Sequence, residues 1–474
     1  MRSEPANGAR PMRWSWVLGT LCALVLALVL FRPRLHDKST LNPTGAQTAD
    51  AGINDVSAGP SFPPELGRLV HAARTSTPAA EEIVSRKLAQ FARSRREYVY
   101  ELAKRHNVQV PPDVERFFAA VEGGNWDEIQ NAFKKINGGD SSASHGGGRP
   151  PGVNELWSAI IDAYGAAEQV HLWPAQKLLD YGNSILDSLR PGMVYVGGTD
   201  NGRWIPELLN DTSEGEQHVI VTQNGLADGM YLDYLRLQYD GQLANLSPED
   251  SQRAFNDYLT DAQKRLQHDQ QFPNEPKQVL PGEDINMVDG KVQVSGQTAV
   301  MAINERLLET LMQKNPDVSF AIQESFPLKG TYPDALPLGP LMELGARSDQ
   351  NYFTPERAAQ SLDYWRSTAQ QVLSDPTAAG SDATLKSYSH DVVSTANLLA
   401  AHNFSGDAEE AYRLGTQLWP ANPESASGLA DLLAANGRDS EARQVLDDFA
   451  RQYPDQRQQL ERSSAAIHLI WTAK

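Results

Sequence analysis

The sequence predicts an α/β domain with a mixed, mostly parallel sheet and flanking helices, followed by an all-α domain of helical hairpins. Three observations predict this class. Short β-prone runs alternate with helical stretches between residues 153 and 347, a 34-residue period marks the carboxyl-terminal part, and one long apolar run stands near the start. The apolar run predicts a transmembrane helix in front of the folded domains.

The apolar run reads WSWVLGTLCALVLALVLF, from Trp14 to Phe31, and contains no charged residue. At 1.5 Å per residue, a helix of this length spans roughly 27 Å, close to the thickness of a hydrocarbon core. No small-x-small cleavage site follows, so we expect a retained anchor at 14–31. Basic residues balance on its two sides, and a long segment behind a short head favours export. We therefore predict a single-pass inner-membrane protein with a cytoplasmic head at 1–13 and a periplasmic bulk.

The composition restricts the partners and the chemistry. The net charge of -18 repels phosphate backbones, so nucleic acid is not an expected partner. The single cysteine, Cys22, rules out an intrachain disulfide and a cysteine-based metal site. The 10 histidines show no ligand spacing, so the sequence predicts neither a metal nor a cofactor.

Shifts in composition divide the rest of the chain into segments. Stretches rich in Ser, Gly and Pro predict a flexible tether at 32–64 and a linker at 138–152. Between them, 65–137 reads as a helical domain. The apolar stripe of this domain comprises Leu88, Phe91, Tyr98 and Leu102. The α/β domain is expected at 153–347, and the helical repeat domain at 348–474.

Three arginines, Arg93, Arg95 and Arg96, lie between members of that apolar stripe. We expect them on a solvated helix face, with contact to anionic lipid as the alternative. Both interpretations place the guanidinium groups at the surface of the protein.

Short β-prone runs predict the strands of the sheet. The runs are MVYV at 193–196, HVIVT at 218–222, VSFAI at 318–322 and, more weakly, 341–344. Helical stretches such as DGMYLDYLRLQY lie between them, which favours parallel strands joined by helices. Asp289-Gly290, inside INMVDGKVQV, predicts a two-residue hairpin turn. The loop FPLKGTYPDALPLGP is too rich in proline for regular structure.

Glycines and polar residues directly follow the first two predicted strands. The candidate ligand-binding residues are Gly197, Gly198, Thr199, Asp200, Asn201, Arg203, Gln223, Asn224 and Asp228. Because ligands bind at the carboxyl ends of parallel strands, we expect these residues to line one cleft. Glycines let a ligand approach the backbone, and the start of the next helix offers N–H groups to an anion. Asp200 suits a sugar hydroxyl or a cation, and Arg203 suits a carboxylate or phosphate.

Two other interpretations of the strand ends stay open. In the first, Gly, Asp and Asn only form tight turns and cap helices. In the second, the carboxylates of Asp200, Asp228 and Glu324, which follow the three strands, meet in one cleft and act as general acid and base. Neither a Gly-x-Gly-x-x-Gly nor a P-loop pattern occurs at these positions, so a nucleotide ligand is not predicted.

The carboxyl-terminal segment carries a 34-residue period. The matched pairs are Ala396 and Ala430, Ala408 and Ala442, Tyr412 and Leu446, and Pro420 and Pro454. Small residues let paired helices approach each other, and proline ends the second helix of a pair. Gly437 falls at the turn between the helices of the second copy, and Asn403 takes the matching place in the first. The pattern resembles the tetratricopeptide repeat, which implies a concave surface that binds peptides or subunits.

The strand junctions resemble a second family. LRPGMVYVGGTDNGRWIPELL, HVIVTQNGLADGMYLDYL and ESFPLKGTYPDALPLGPLMEL are similar to parts of the soluble region of bacterial protein O-mannosyltransferase-like membrane proteins. The similarity covers residues 188–240 and 318–345. It implies a soluble extracytoplasmic module with a tie to modification of cell-envelope glycans or proteins. Glycosyl transfer belongs to the multi-span part of those proteins, so transferase activity is not implied.

Together these observations predict a membrane-anchored, extracytoplasmic binding or scaffold protein. The repeats would bind a protein partner, and the α/β domain would bind a small polar ligand or a glycan. One alternative is an enzyme that acts on cell-envelope glycans through the three carboxylates named above. Another is a purely structural assembly subunit. Binding is favoured over catalysis, since the sequence shows no catalytic triad arrangement and no Gly-x-Ser-x-Gly elbow.

Overall fold

The structure is a computed structural model. It describes residues 79–138, 149–198, 200–275, 277–279, 283–288, 291–323, 332–345 and 352–463. The predicted cytoplasmic head, transmembrane anchor and tether lie outside the described residues, and so do Thr199 and Glu324. Within the part that is described, no helix is both long enough and apolar enough to cross a membrane.

The described chain is mostly helical, with one small sheet and one separate hairpin. The helices are α1 (Ala80–His106), α2 (Pro112–Gly123), α3 (Trp126–Ile136), α4 (Trp157–Leu172), α5 (Ala175–Leu186), α6 (Asp200–Asp211), α7 (Gly229–Gln238), α8 (Pro248–Gln271), α9 (Gln297–Lys314), α10 (Pro355–Ser374), α11 (Pro376–Ala379), α12 (Asp382–Ala401), α13 (Ser405–Leu418), α14 (Pro423–Ala435), α15 (Asp439–Gln452) and α16 (Arg457–Ser463). The strands are β1 (Val194–Gly197), β2 (Val219–Thr222), β3 (Asp284–Val288), β4 (Lys291–Ser295), β5 (Phe320–Ile322), β6 (Leu336–Leu338) and β7 (Leu341–Leu344).

The sheet has the strand order β2-β1-β5-β7-β6. Strand β1 pairs in parallel with both β2 and β5, whereas β7 is antiparallel to β5 and to β6. The mostly parallel sheet of the sequence prediction is therefore correct for β2, β1 and β5, and β7 and β6 add an antiparallel edge. Strand β6 lies inside the proline-rich stretch that we expected to be irregular. Its Pro337 is tolerated because an edge strand has one side without a partner strand.

The three parallel strands are fully enclosed. Every residue of β1, β2 and β5 is buried, so helices and loops cover both faces of these strands. This burial explains why their sequences are continuous apolar runs rather than alternating patterns. The two strands of the predicted hairpin pair as β3 and β4, and their predicted turn, Asp289-Gly290, lies outside the described residues. They form a separate two-stranded sheet that packs beside α8.

Helix α1 packs directly against helices of the α/β region. It contacts α4, α5, α6 and α7, and its buried side belongs to the same apolar core as the sheet. Leu88, Phe91 and Leu102 of the predicted stripe are buried, and Tyr98 is partly buried against them. The helical segment in front of the linker therefore shares a core with the segment behind it.

Gly165 brings α4 and α6 into close contact. A Cβ atom placed on Gly165 would lie 2.0 Å from Cδ2 of the buried Trp204 ring on α6. The indole of Trp204 occupies the space that any larger residue at this position would need. Since α6 follows β1 directly, this contact also fixes the helix that begins at the strand ends.

We expect Gly165→Ala to lower the free energy of unfolding by about 3 kcal/mol, because the methyl group overlaps an immobile ring in a packed core. Urea denaturation followed by tryptophan fluorescence measures the change. Gly406→Ala, at a helical glycine with nothing within 4 Å of the added Cβ, is the matched control and should leave the stability unchanged or slightly higher. Equal stability of the two variants would contradict the contact.

Candidate functional site

The carboxyl ends of β1, β2 and β5 lie side by side. Gly197 is paired in register with Thr222, and Val196 is paired with Ile322. The chain leaves β1 through α6 to reach β2 on one side, and it returns to β5 on the other side. A topological switch point therefore lies between β1 and β5, which is where open α/β sheets bind ligands. The expected meeting of the three strand ends is confirmed.

Gly197 at the end of β1 and Gly198 directly after it are held in place by other parts of the chain. A Cβ on Gly197 would lie 2.7 Å from Cβ of Arg203, so α6 approaches the strand end closely. The carbonyl oxygen of Gly198 accepts a hydrogen bond from Asn224 Nδ2 at 2.9 Å and another from Thr222 Oγ1 at 3.4 Å. Gly197, Gly198 and Asn224 thus have structural roles here, whatever else they bind.

Asp200 and Asn201 form the start of α6, so their backbone stands at the end of β1. Their side chains, like the whole of Thr199 and Glu324, lie outside the described part of the chain. Gln323, which directly precedes Glu324, is described and is 1% exposed. The structure therefore brings the backbone at the carboxyl end of β1 close to the backbone at the carboxyl end of β5.

The second strand end is also used for local structure. Asp228 caps α7, because its Oδ1 accepts a hydrogen bond from Met230 N at 2.9 Å. Burial raises the pKa of the Asp228 carboxyl, against the effect of its backbone hydrogen bonds and of Arg149. Gln223 is buried, and among the described residues its Oε1 meets no donor. Of the three proposed catalytic carboxylates, Asp228 is the one whose side chain is described, and it serves as a helix cap.

The carboxyl-terminal period forms two helical hairpins, α12 with α13 and α14 with α15. The alanines that repeat at 34 residues, Ala396, Ala408, Ala430 and Ala442, are all completely buried. Their burial agrees with the role of small residues in such repeats, which is to let the paired helices approach closely. The predicted hairpins are therefore present at the predicted positions.

The two turns inside these hairpins are equivalent. Asn403 and Gly437 both adopt left-handed backbone conformations, with φ of 64° and 72°. In each turn the residue that follows donates its N–H back into the helix, Phe404 to Leu399 O at 3.0 Å and Arg438 to Leu433 O at 2.9 Å. Asparagine is one of the few residues besides glycine that accepts this conformation, which explains the substitution between copies.

Helix α12 belongs to the first hairpin and also docks on the α/β region, where it contacts β6 and β7. The rings of Tyr388 and Tyr181 meet edge to face with centroids 5.3 Å apart. His402 Nε2 lies 2.8 Å from the carbonyl oxygen of Tyr332. The α/β region therefore covers part of the first repeat.

Arg203, a predicted ligand-binding residue, lies in a buried cluster of charges. Its Nη1 is 2.5 Å from Asp162 Oδ1 and 3.3 Å from Glu207 Oε2. Arg95 of α1 joins the same cluster and donates to Glu207 Oε1 at 2.8 Å and to Asp211. Arg95 is 0% exposed, so the expectation that it lies at the surface is wrong. Arg95 lies on the side of α1 that faces α6, and the carboxyl groups there offset the free-energy cost of burying its charge.

The cluster contains three carboxyl groups and two guanidinium groups. Tyr234 adds a hydrogen bond to Asp162 Oδ2 at 2.8 Å. Burial and the neighbouring Asp162 carboxylate raise the pKa of Glu207 to about 8. A proton on Glu207 at neutral pH leaves two carboxylates opposite two guanidinium groups, which balances the buried charge.

The raised pKa of Glu207 links stability to pH. Because the folded state binds this proton more tightly than the unfolded chain, the stabilising contribution is complete below about pH 4.5 and is lost as the pH rises toward 8. Relative to Glu207→Gln, we expect the wild-type free energy of unfolding to fall by on the order of 3 kcal/mol across this window. Urea denaturation between pH 5 and 9 measures both profiles.

Glu101→Gln, at an exposed position of α1, is the control for loss of one carboxylate. Its profile should run parallel to that of the wild type. Parallel profiles for the wild type and Glu207→Gln would contradict the raised pKa, because the folded protein would then bind the proton of Glu207 no more tightly than the unfolded chain does.

Residues 405–465 match the family model of the tetratricopeptide repeat. This range covers α13, α14, α15 and α16. No curated protein and no solved structure matches the chain. The resemblance to the soluble region of O-mannosyltransferase-like proteins therefore stays a prediction. From the matched range, the buried alanines and the paired turns, we conclude that the carboxyl-terminal part of this chain carries a tetratricopeptide repeat.

Proposed function

We propose that the protein is a membrane-tethered scaffold that binds a protein partner through its tetratricopeptide region. The observation that supports this most directly is the tandem pair of hairpins, in which residues 405–465 match the repeat family. Such repeats present side chains of successive helices along one extended surface. Protein binding is the general role of this architecture.

The neighbours of the two hairpins make so short a repeat array stable. Two copies alone leave apolar faces uncovered. On one side, α10 packs on α13, and Arg366 forms a paired salt bridge to Glu410 across this contact, with Nε 2.5 Å from Oε1. On the other side, α16 packs on α14 and buries Leu460 completely.

Because α12 packs on the α/β region, the second hairpin is the more accessible surface for a partner. The α/β region takes up part of α12, whereas Ala435 at the end of α14 is exposed and Leu432 is half-buried. We propose that the partner contacts α14 and the ridge that continues into α15. The α/β region then acts as a rigid base for this surface.

The tether belongs to the same proposal. The apolar run at 14–31 supports a membrane anchor, and the composition of 32–64 supports a flexible spacer of 33 residues behind it. A scaffold on such a spacer samples a region of several tens of ångströms from the membrane, on the order of 30 Å for a random coil. This arrangement, with an extracytoplasmic bulk, would concentrate the partner at the cell envelope.

A photo-crosslinking experiment in native membranes tests this function. A benzoylphenylalanine at Ala435 should form an adduct with one defined protein, because this position lies on the proposed binding surface. The same group at the exposed Glu101 on α1 is the control and should not form that adduct. Carbonate-washed membranes should retain the protein, and deletion of residues 14–31 should release it.

The experiment tests the binding surface at α14 and the membrane anchor independently of each other. The same adducts from both positions, or none from Ala435, would contradict binding at α14. Release of the full-length chain by carbonate would contradict the anchor and leave the binding surface untouched.

A small polar ligand at the strand ends is a second candidate function. The observation that favours it is the switch point between β1 and β5, where Gly197, Gly198 and the start of α6 come together. The N–H groups that a helix start such as that of α6 offers suit a hydroxyl-rich or anionic ligand. A glycan would fit the expected location at the cell envelope. Catalysis by Asp200, Asp228 and Glu324 stays an alternative that needs a second carboxylate beside Asp228.

Thermal-shift screening with monosaccharides, amino sugars and sugar acids tests the ligand site. A true ligand raises the melting temperature of the wild type, and the rise should be lost in Asp200→Ala, because this residue opens α6 at the switch point. Asp257→Ala, at an exposed position of α8, should keep the rise. An equal shift in all three proteins would place the ligand elsewhere.

A further inference from the structure

A proline in α6 leaves one backbone carbonyl without its helical partner. In an α-helix the carbonyl of Gly202 would accept from the N–H of the fourth residue on, which is Pro206 and has no N–H. The hydroxyl of Tyr195 on β1 donates to this carbonyl instead. The first turn of α6 thus depends on a side chain from the strand beside it.

Tyr195 is the first member of a buried hydrogen-bond chain that reaches the repeat. Its hydroxyl lies 2.6 Å from Gln323 Oε1, and Gln323 Nε2 lies 2.7 Å from the hydroxyl of Tyr181 on α5. Tyr181 in turn hydrogen-bonds to Asp391 on α12. The four side chains are between 0% and 3% exposed, so water does not compete for these bonds.

The number of protons limits which hydrogen bonds of this chain of side chains can form at the same time. Each tyrosine hydroxyl carries one hydrogen, and the Gln323 amide has one donor end and one acceptor end. When the amide donates to Tyr181, Tyr181 donates to Asp391, and Gln323 Oε1 competes with the Gly202 carbonyl for the proton of Tyr195. When the amide is turned round, it donates to Tyr195, Tyr195 donates to Gly202, and Gln323 Oε1 competes with Asp391 for the proton of Tyr181.

The two ends therefore compete. Three acceptors, the Gly202 carbonyl, Gln323 Oε1 and the Asp391 carboxylate, share the protons of Tyr195 and Tyr181, so the two hydroxyls cannot donate to all three at once. A buried acceptor that loses a donor is destabilised, so a change in the hydrogen bonds at one end alters the balance at the other. Rotation of a single amide, at Gln323, switches the direction of the whole chain.

We propose that the chain Gly202–Tyr195–Gln323–Tyr181–Asp391 is a two-state relay that couples the start of α6 to the first repeat helix, α12. A change at the first turn of α6 alters how Tyr181 holds α12, and a change in the seating of α12 alters the first turn of α6. Its use as a link between a strand-end ligand and a protein partner rests on the proposed function. The coupling itself requires neither molecule.

Carbonyl NMR on the full chain tests the relay. Glycine labelled with ¹³C at the carbonyl and arginine labelled with ¹⁵N select the four Gly-Arg pairs of the sequence, one of which is Gly202-Arg203. Lysine substitutions at the other three arginines assign this signal by elimination. Asp391→Leu removes the acceptor at the repeat end, so the proton of Tyr181 should pass to Gln323 and that of Tyr195 to Gly202. We expect a downfield shift of the Gly202 carbonyl signal.

Asp382→Leu, at an exposed position in the first turn of α12, is the matched control and should leave the Gly202 signal in place. If Asp391→Leu does not fold, Tyr181→Phe should produce the same downfield shift, because the Gln323 amide is then free to donate to Tyr195. An unchanged Gly202 signal in a folded Asp391→Leu or Tyr181→Phe protein would overturn the relay. Because no ligand or partner is added, this outcome is distinct from failure of the scaffold function.

Discussion

Two buried guanidinium groups and the three carboxyl groups around them hold helices α1, α4 and α6 together. Arg95 belongs to α1, Asp162 to α4, and Arg203 and Glu207 to α6, so one cluster joins helices that are far apart in the chain. Removal of one partner from such a cluster leaves a buried charge without compensation, which costs about 3 to 5 kcal/mol. The position of α6, and with it the geometry of the strand ends, therefore depends on the balance of this cluster.

Much of the architecture could be predicted from local patterns. The three parallel strands are short apolar runs between helical stretches, and the repeat shows itself by a period that is independent of tertiary context. Asn403 and Gly437 are the clearest case, because a left-handed turn imposes a residue choice that is visible in the sequence. Strand β6 could not be predicted, since Pro337 is acceptable only where the sheet ends, and an edge is a property of the assembled fold.

The site was less predictable, because the same residue types serve ligands and structure. Arg203 at the start of a helix has the chemistry of an anion site. Its partner Glu207 is the neighbour four residues on in α6, but its partner Asp162 comes from α4, through packing that no local pattern reveals. Gln323 was missed because a single glutamine after a strand carries no signal. The signal in the sequence is Pro206, four residues after Gly202, because a proline within a helix leaves the carbonyl four residues before it without its backbone donor.

The buried charge cluster also has a consequence for synthesis of the chain. Arg95 and Glu207 are 112 residues apart in sequence, so the ribosome completes α1 long before its carboxylate partners exist. During that interval an amphipathic helix with an uncompensated cation cannot bury its apolar stripe in the native way. At typical elongation rates of about 5 to 20 residues per second the wait lasts on the order of ten seconds, which makes the nascent amino-terminal helices a natural client for chaperones.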